Sequence, residues 1–395
     1  MKKNTQVILK SGKDISLKRM HPWIFSGAIK GVSGEVSEGD LVDVYSNHGE
    51  LLGVGHYQPG SISVRMLSFT KVEVNLEFLV KKIEEAVHLR KNGGFIDNPN
   101  TNVFRLINAE GDMMPGLVVD YYNGTAVLQM HSVGMYRIRE LLVEALKIVL
   151  GDKLKCIYDK SEDTLPFKAG INAKSEYLFG VPGDNWVKEN GNAFFIDWEE
   201  GQKTGFFIDQ RENRKLLSEY SPGRNVLNMF CYTGGFSVYA LRAGANLVHS
   251  VDASRKAIDI TEKNITANFE NDRRHISFAE DAFDFFNRKG QEYDLIILDP
   301  PAFAKHQKVL ENALQGYKRI NREAIEKISP GGILFTFSCS QVVSRENFRK
   351  SVFAAAASSG RNVRILHQMS QPADHPVSIY HPEGEYLKGL VLQVD

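Results

Sequence analysis

The sequence lacks the features that would indicate a secreted, membrane-bound or metal-binding protein. It has three cysteines in 395 residues, Cys156, Cys231 and Cys339, and no two of them have the spacing of metal ligands. A sparse, odd number of thiols favours reduced cysteines in a cytoplasmic protein. No apolar run approaches the ~20 residues of a membrane span, and none follows the charged start of the chain. We therefore expect no metal site, no membrane span and no secretory signal.

The chain also lacks a net charge, because 48 basic residues balance 48 acidic residues. This neutrality does not indicate a nucleic-acid partner. Locally, however, the first twenty residues contain six basic side chains and a single acidic one, Asp14. Arg211, Arg214 and Arg224 form a second basic group. Both groups fit an RNA-binding surface and an ordinary solvated face about equally well.

The first 70 residues predict a small β-barrel. Short apolar runs alternate there with turns rich in Gly and Asn, which is typical of such barrels. The runs are residues 6–9, 41–45, 51–55 and 63–67. We expect residues 21–25 (His-Pro-Trp-Ile-Phe) to form a loop within the barrel. Its Trp23 could stack on a base, although a role as an anchor in the barrel core is favoured.

The rest of the chain predicts a small α+β module followed by an α/β domain. A charged helical segment at residues 71–94 is expected to link two domains, and Asn123-Gly124 and Asn190-Gly191 indicate hairpins. From about residue 223, apolar runs of strand length alternate with segments of helix length, as in βαβ units. The runs are residues 226–230, 247–251, 276–279, 295–298 and 333–337. This pattern predicts a doubly wound parallel sheet.

The ends of the first three predicted strands carry residues that suit an adenosyl ligand. Ligands of such sheets bind at the carboxyl ends of the strands. A Gly-rich turn without a dinucleotide fingerprint comes first, then Asp252, which suits ribose hydroxyls, and Asp281, which suits an adenine amino group. With no phosphate-clamping lysine, S-adenosylmethionine fits best, although each acid alone could be a helix N-cap. The candidate cofactor-binding residues are Phe230, Tyr232, Thr233, Gly234, Gly235, Asp252, Asp281 and Asp299.

The next two strand ends carry the candidate catalytic residues Asp299 and Cys339. A flipped base could stack on Phe303, hydrogen bond to Asp299 and be attacked by Cys339. Thiolate addition at C6 of a pyrimidine makes C5 able to accept a methyl group, and thiol elimination then restores the ring. A cysteine at the end of a buried strand is more often a small hydrophobe, and we expect Cys156 and Cys231 to pack in this way.

Residues 200–211 form a polar, Gly-punctuated segment with aromatic residues beside Lys203 and Arg211. The residue types favour equally a loop that lines a pocket and a segment whose Phe206 and Phe207 belong to the core. The candidate substrate-binding residues are Phe303, Lys203, Arg211 and Trp23.

Six segments together resemble the bacterial ribosomal RNA large-subunit methyltransferase I family. They are residues 21–25, 105–112, 203–211, 230–237, 299–303 and 338–340. The resemblance implies a PUA RNA-binding barrel in residues 1–70, a small α+β domain in residues 71–195, and a Rossmann-like class I methyltransferase domain in residues 196–395. It also implies methylation of C5 of a cytosine in 23S rRNA from S-adenosylmethionine, with Cys339 as the nucleophile.

One departure from the wider cytosine-C5 class keeps alternatives open. Many RNA members carry a second cysteine next to the Pro of the Asp-containing motif, which assists product release, and residues 299–302 contain none. The base that removes the C5 proton is therefore not identified. Related enzymes share the Lys-Thr-Gly-x-Phe and Asp-Pro-Pro-x-Phe patterns yet methylate a guanine nitrogen. A guanine-N rRNA methyltransferase and a non-catalytic RNA-binding ribosome-assembly factor stay as alternatives, and a homodimer is left open.

Overall fold

The fold is that of a computed structural model, which describes residues 5–166, 170–288, 292–304 and 306–395. The chain forms two compact units. The first comprises Met1–Val187, Ile196–Phe206 and Ala373–Gly384, and the second comprises Lys188–Phe195, Phe207–Pro372 and Glu385–Asp395. The division into three domains with boundaries at residues 70 and 195 stays a prediction. Among the described residues, no helix is both long and apolar enough to cross a lipid bilayer.

The N-terminal part of the first unit is a six-stranded sheet. It contains β1 (Thr5–Leu9), α1 (Ile15–Lys18), β2 (Trp23–Phe25), β3 (Ile29–Ser33), β4 (Leu41–Tyr45), β5 (Leu51–Tyr57) and β6 (Ile62–Ser68). The strands are hydrogen-bonded in the order β2-β6-β5-β4-β1-β3, so the four predicted strands are confirmed. The prediction of a loop at residues 21–25 is wrong for residues 23–25, which form β2. There, three residues of high β-propensity form an edge strand that pairs with β6 along one side.

A five-stranded sheet and three helices complete the core of the first unit. They are α2 (Leu76–Asn92), β7 (Val103–Asn108), β8 (Leu117–Tyr122), β9 (Thr125–Met130), α3 (Val133–Arg137), α4 (Arg139–Leu150), β10 (Cys156–Asp159) and β11 (Glu176–Gly180). The sheet order is β11-β10-β9-β8-β7. Asn123 and Gly124 form the predicted hairpin with φ values of 48° and 102°. The expected linker helix α2 instead packs Leu79 and Ile83 into this core.

A seven-stranded sheet forms the second unit. Its elements are α5 (Arg211–Tyr220), β14 (Asn225–Met229), α6 (Gly235–Arg242), β15 (Leu247–Asp252), α7 (Arg255–Asn268), β16 (His275–Ala279), α8 (Ala282–Arg288), β17 (Leu295–Leu298), α9 (Leu310–Lys327), β18 (Gly332–Ser338), α10 (Arg345–Ser359), β19 (Val363–Met369) and β20 (Lys388–Val394). A hairpin of β12 (Trp186–Glu189) and β13 (Asn192–Phe195) precedes them in sequence, as Asn190-Gly191 predicted.

The order of this sheet is β16-β15-β14-β17-β18-β20-β19, which confirms the predicted α/β fold. The strands β14 to β18 are parallel, while β20 runs antiparallel between β18 and β19. After β14, the chain adds β15 and β16 on one side of this strand and then β17 and β18 on the other side. The carboxyl ends of β14 and its neighbours therefore lie at a topological switch point. Ligands of open α/β sheets bind at such a point.

A buried ion pair holds the middle of the first unit together. Arg90 on α2 has no exposed side-chain surface and its Nη2 donates to Oδ2 of Asp112 over 2.7 Å. The same guanidinium donates to the carbonyl oxygens of Arg105 and Asp374, each over 2.8 Å. The pair therefore fixes a helix, a strand and the late segment 373–384 of the same unit.

Replacing Asp112 by Ala is expected to lower the stability of the first unit by about 3–5 kcal/mol, because it leaves a buried guanidinium without its counterion. All three tryptophans, Trp23, Trp186 and Trp198, lie in the first unit. Denaturant unfolding followed by tryptophan fluorescence therefore reports on it. The control is Glu144→Ala, which removes an exposed pair with Lys147 and should cost less than about 1 kcal/mol. Equal losses in the two variants would contradict the structural role of the Arg90–Asp112 pair.

Candidate active site

The turn between β14 and α6 has an unusual backbone. Phe230, Tyr232 and Gly234 all have positive φ, with values of 59°, 48° and 77°. Non-glycine residues rarely adopt this conformation, and they keep it where the surroundings enforce it, often at functional sites. The enforcing contacts come from α7, where Thr261 Oγ1 donates to the Tyr232 carbonyl over 2.9 Å and Asn264 Nδ2 to the Thr233 carbonyl over 2.8 Å.

Gly234 suits this turn both because of its positive φ and because of the space around it. A Cβ atom added there would lie 2.6 Å from Cγ2 of Thr261, besides facing the strain of a φ of 77°. At Gly235, a Cβ would lie 3.1 Å from Cδ of the buried Arg214. The two glycines therefore allow α7 and the Arg214 side chain to pack close to the turn. Thr261 and Asn264 were missed by the sequence analysis, because no motif marks residues that support a turn from a neighbouring helix. Arg214 was noted only as a member of a basic group, without this role.

The two predicted nucleoside-binding acids lie at the ends of β15 and β16. Asp252 is half-buried; its Oδ2 accepts from the Tyr232 amide over 3.0 Å and its Oδ1 from the Ser254 amide over 2.9 Å. Asp281 is exposed and its Oδ1 accepts from the Phe283 amide at the start of α8 over 2.8 Å. Asp281 therefore has the N-cap role that the sequence left open, and a second oxygen stays available for a ligand.

Asp299 directly follows β17 and is oriented by a short chain of amides. Gln210 Nε2 donates to Oδ2 of Asp299 over 3.0 Å, and Asn213 Nδ2 donates to Oε1 of Gln210 over 2.6 Å. Gln210 lies in the segment 203–211 that the sequence analysis singled out, but its partner was not foreseen. The amides hold the carboxylate in one orientation at the edge of the sheet.

Cys339 directly follows β18, the strand next to β17. Its side chain is partly exposed, and Sγ lies 3.9 Å from the carbonyl oxygen of Pro300. The flanking Ser338 and Ser340 are fully buried, with their hydroxyls 2.9 and 3.2 Å from Oη of Tyr317. The thiol therefore lies beside residues 299–303, with a buried polar layer next to it.

Phe303 lies at the edge of this site rather than fully within it. It is partly buried, and its ring centroid is 4.7 Å from that of Tyr317 at an interplanar angle of 42°. The contact fixes the ring on one side. Its predicted role as a stacking partner for a base stays a prediction.

Of the remaining substrate-binding candidates, one is buried in the second unit and two belong to the first unit. Arg211 is 1% exposed, and its Nε lies 3.5 Å from Oε2 of the buried Glu189, so burial against a counterion favours a structural role. Lys203 and Trp23 belong to the first unit. The Trp23 indole donates to Oε1 of Glu110 over 2.8 Å and is half-buried, so it is not the barrel-core anchor that was favoured. RNA binding by Lys203, Arg211 and Trp23 stays a prediction.

Comparison with known proteins identifies the family. Family models match this chain as an S-adenosylmethionine-dependent methyltransferase over residues 164–378 and as a PUA-like domain over residues 7–69. The ribosomal RNA large subunit methyltransferase I of Alteromonas mediterranea is 39% identical over 397 residues, which cover 99% of each chain. The homologous protein of Tolumonas auensis is also 39% identical, with 99% of each chain covered. The chain belongs to the ribosomal RNA large subunit methyltransferase I family.

Solved structures agree with this assignment in fold. A Streptococcus mutans protein, described as a SAM-dependent methyltransferase, aligns with a TM-score of 0.85 and 24% identity over 98% of this chain and 100% of its own. Another methyltransferase structure, determined in complex with SAH, has the same TM-score, 25% sequence identity and the same coverage of both chains. The predicted family, fold and cofactor are thus confirmed: this member of the family is a large-subunit rRNA methyltransferase that depends on S-adenosylmethionine.

The residues at the strand ends fit that cofactor. S-adenosylmethionine supplies an activated methyl group on a sulfonium. The half-buried Asp252 and the exposed Asp281 offer carboxylate oxygens as hydrogen-bond acceptors. The neutral hydroxyl and amino groups of an adenosyl ligand without phosphates are the matching donors. The closely packed turn at 230–235 brings backbone amides to the same edge. The assignment of individual residues to the cofactor stays a prediction.

Replacing Asp252 by Ala should weaken S-adenosylmethionine binding by about 1–3 kcal/mol, because ligand hydroxyls lose their acceptor and the Tyr232 amide loses its partner. Asp252→Asn keeps the shape and should lose less. Calorimetric titration measures both. Asp259→Ala on α7 removes an exposed carboxylate that pairs with Arg255 and serves as the control. Equal affinity in Asp252→Ala and Asp259→Ala would remove Asp252 from the cofactor site.

Proposed function

We propose that this rRNA methyltransferase methylates C5 of a cytosine in 23S rRNA and that Cys339 is its nucleophile. The observation that carries the proposal is a partly exposed thiol at the carboxyl end of β18, beside the Asp299–Pro300 motif at the end of β17. C5 of cytosine is a weak nucleophile, so a neighbouring thiol has a purpose in this chemistry that methylation of a guanine nitrogen does not require.

The reaction runs through a covalent adduct. The Cys339 thiolate adds to C6 of the flipped base, and the electron pair of the C5–C6 double bond then forms the new bond from C5 to the methyl carbon. The bond from that carbon to the sulfonium sulfur breaks at the same time, its electron pair stays on sulfur, and S-adenosylhomocysteine is the leaving group. A proton next leaves C5, the C5–C6 double bond reforms, and the C6–S bond breaks to return the thiolate. Asp299, oriented by Gln210, would hold the hydrogen-bonding edge of the cytosine during these steps.

The other two thiols do not suit this role. Cys156 is fully buried, and burial raises the pKa of its thiol to about 11. Cys231 is 6% exposed, and burial raises its pKa even further, with Asp252 adding to the effect. Neither would be a thiolate at neutral pH. Their expected packing role is confirmed by this burial.

The decisive test is the variant Cys339→Ser with rRNA that carries 5-fluorocytidine at the target position. We expect methyl transfer to fall by at least about 10³-fold, as on loss of other covalent nucleophiles, while S-adenosylmethionine affinity is unchanged. The parent protein should form a stable covalent adduct, since fluorine cannot leave C5 as a proton does, and Cys339→Ser should form none. Cys156→Ala is the matched control and should keep both activities.

Two outcomes would overturn the proposal. A modified guanine in nucleoside mass spectrometry, with full activity of Cys339→Ser, would establish the guanine-N alternative. Absence of any methyl transfer by the parent protein, together with rRNA binding, would favour the assembly factor without catalysis.

The PUA-like domain offers a surface suited to RNA. A groove of about 780 Å³ lies between α1, β2 and residues 379–380 of the same unit. Lys13 and Arg19 line it, and within the described part of the chain neither has an acidic partner, whereas Lys18 pairs with Asp14 and Glu50. Phe25 and Tyr380 are 45% and 48% exposed there. Cations beside exposed aromatic rings match the backbone charge and the bases of single-stranded RNA.

The double variant Lys13→Ala/Arg19→Ala should bind rRNA fragments more weakly, with a slope of log K against log salt that is smaller by about 1–2, because two phosphate contacts are lost. Filter binding over a salt series measures both quantities. Arg255→Ala/Lys350→Ala removes the same charge from exposed ion pairs in the second unit and should leave the slope closer to that of the parent. If the two double variants change the slope equally, the groove is not the RNA-binding surface.

A further inference from the structure

A lysine that no motif marks lies next to the Cys339 loop. Lys388 is the first residue of β20 and pairs in antiparallel register with Ser338, the last residue of β18. Residues opposite each other in such a pair place their side chains on the same face of the sheet. The Lys388 side chain therefore extends on the face that also carries Ser338 and its partner Tyr317.

The ammonium of Lys388 is buried. The residue is 3% exposed, and Nζ donates to the carbonyl oxygen of Ser340 over 2.7 Å. Ser340 directly follows Cys339, and their Cα atoms are about 3.8 Å apart across the trans peptide. The positive charge thus contacts the residue that follows Cys339, and the lysine and the thiol interact electrostatically.

No carboxylate compensates this charge at close range. Among the described residues, none comes within ion-pair distance of Lys388, and Glu385, the nearest acid along the chain, pairs with Arg345 instead. Tyr317 hydrogen bonds to the serines on either side of Cys339, and burial raises the pKa of its phenol, so that it stays neutral. A buried ammonium without an anion is costly, and nearby acids respond by ionising. Cys339 is the ionisable group that can do so.

We propose that Lys388 is the positioning residue that holds the Cys339 side chain in its thiolate form. This inference rests on the proposed role of Cys339 as the nucleophile, but it concerns only the charge state of the thiol. Burial lowers the pKa of Lys388 to about 8, while Cys339 and Glu385 act in the opposite direction and Arg345 adds to the lowering. Lys388 is therefore charged at neutral pH and loses its effect on the thiol above about pH 8.

The test is the pH dependence of Cys339 alkylation by iodoacetamide in the full-length protein, read by peptide mass spectrometry. The variant Lys388→Met removes the charge and keeps the length of the side chain. We expect the midpoint of the alkylation rate to rise by about 1–3 pH units, the effect of removing an opposite charge next to an acid. Lys388→Arg should keep the parent midpoint, and Lys350→Met, an exposed lysine paired with Glu346, is the surface control.

Lys388→Gln provides a second neutral variant in case the methionine disturbs packing, and S-adenosylmethionine affinity reports on the integrity of the second unit. An unchanged midpoint in a neutral variant that binds cofactor normally overturns the proposal. A raised midpoint in both neutral variants, with Lys388→Arg at the parent value, supports it. If the midpoint rises but Cys339→Ser still methylates rRNA, the effect of Lys388 on the thiol is supported and the role of Cys339 as the nucleophile is rejected. The two proposals can therefore fail independently.

Discussion

The strand order of the second unit is the constraint on which the candidate site depends. Parallel pairing of β14 with β15 and β17, and of β17 with β18, brings the ends of four strands to one edge. Residues far apart in sequence, from the turn at 230–235 to Cys339, thereby share that edge. Because parallel strands need long crossovers, the intervening helices follow from the same constraint. The candidate site is then distributed over several loops, each of which follows a strand of this sheet.

A layer of residues behind the edge keeps those loops in place. Thr261 and Asn264 hold the strained turn after β14, the Gln210–Asn213 pair orients Asp299, and Tyr317 hydrogen bonds to the serines that flank Cys339. These groups are buried or nearly so, and their hydrogen bonds are satisfied within the protein. The cost of the unusual backbone is therefore met by packing and hydrogen bonds away from the ligand.

The three thiols also differ in their surroundings. Their covalent chemistry is the same, yet Cys156 and Cys231 lie in apolar surroundings that disfavour the thiolate, while Cys339 lies beside a buried ammonium. Charge state is thus a property of position in the fold. In the first unit a buried cation has a structural role, because the fully buried Arg90 forms an ion pair with Asp112.

The sequence alone determined the fold class, the order of the predicted strands in the chain, the cofactor and the family, because apolar periodicity and short motifs are local properties of the chain. Tertiary structure decided the rest. Pairing with β6 made a strand from the expected loop at Trp23, and core packing made α2 an integral helix instead of a linker. Arg211 became buried against Glu189. Lys388 reached the carbonyl oxygen of Ser340, next to Cys339, because the last strand inserts antiparallel beside β18. Such neighbours are set by long-range strand pairing, which has no signature in local spacing.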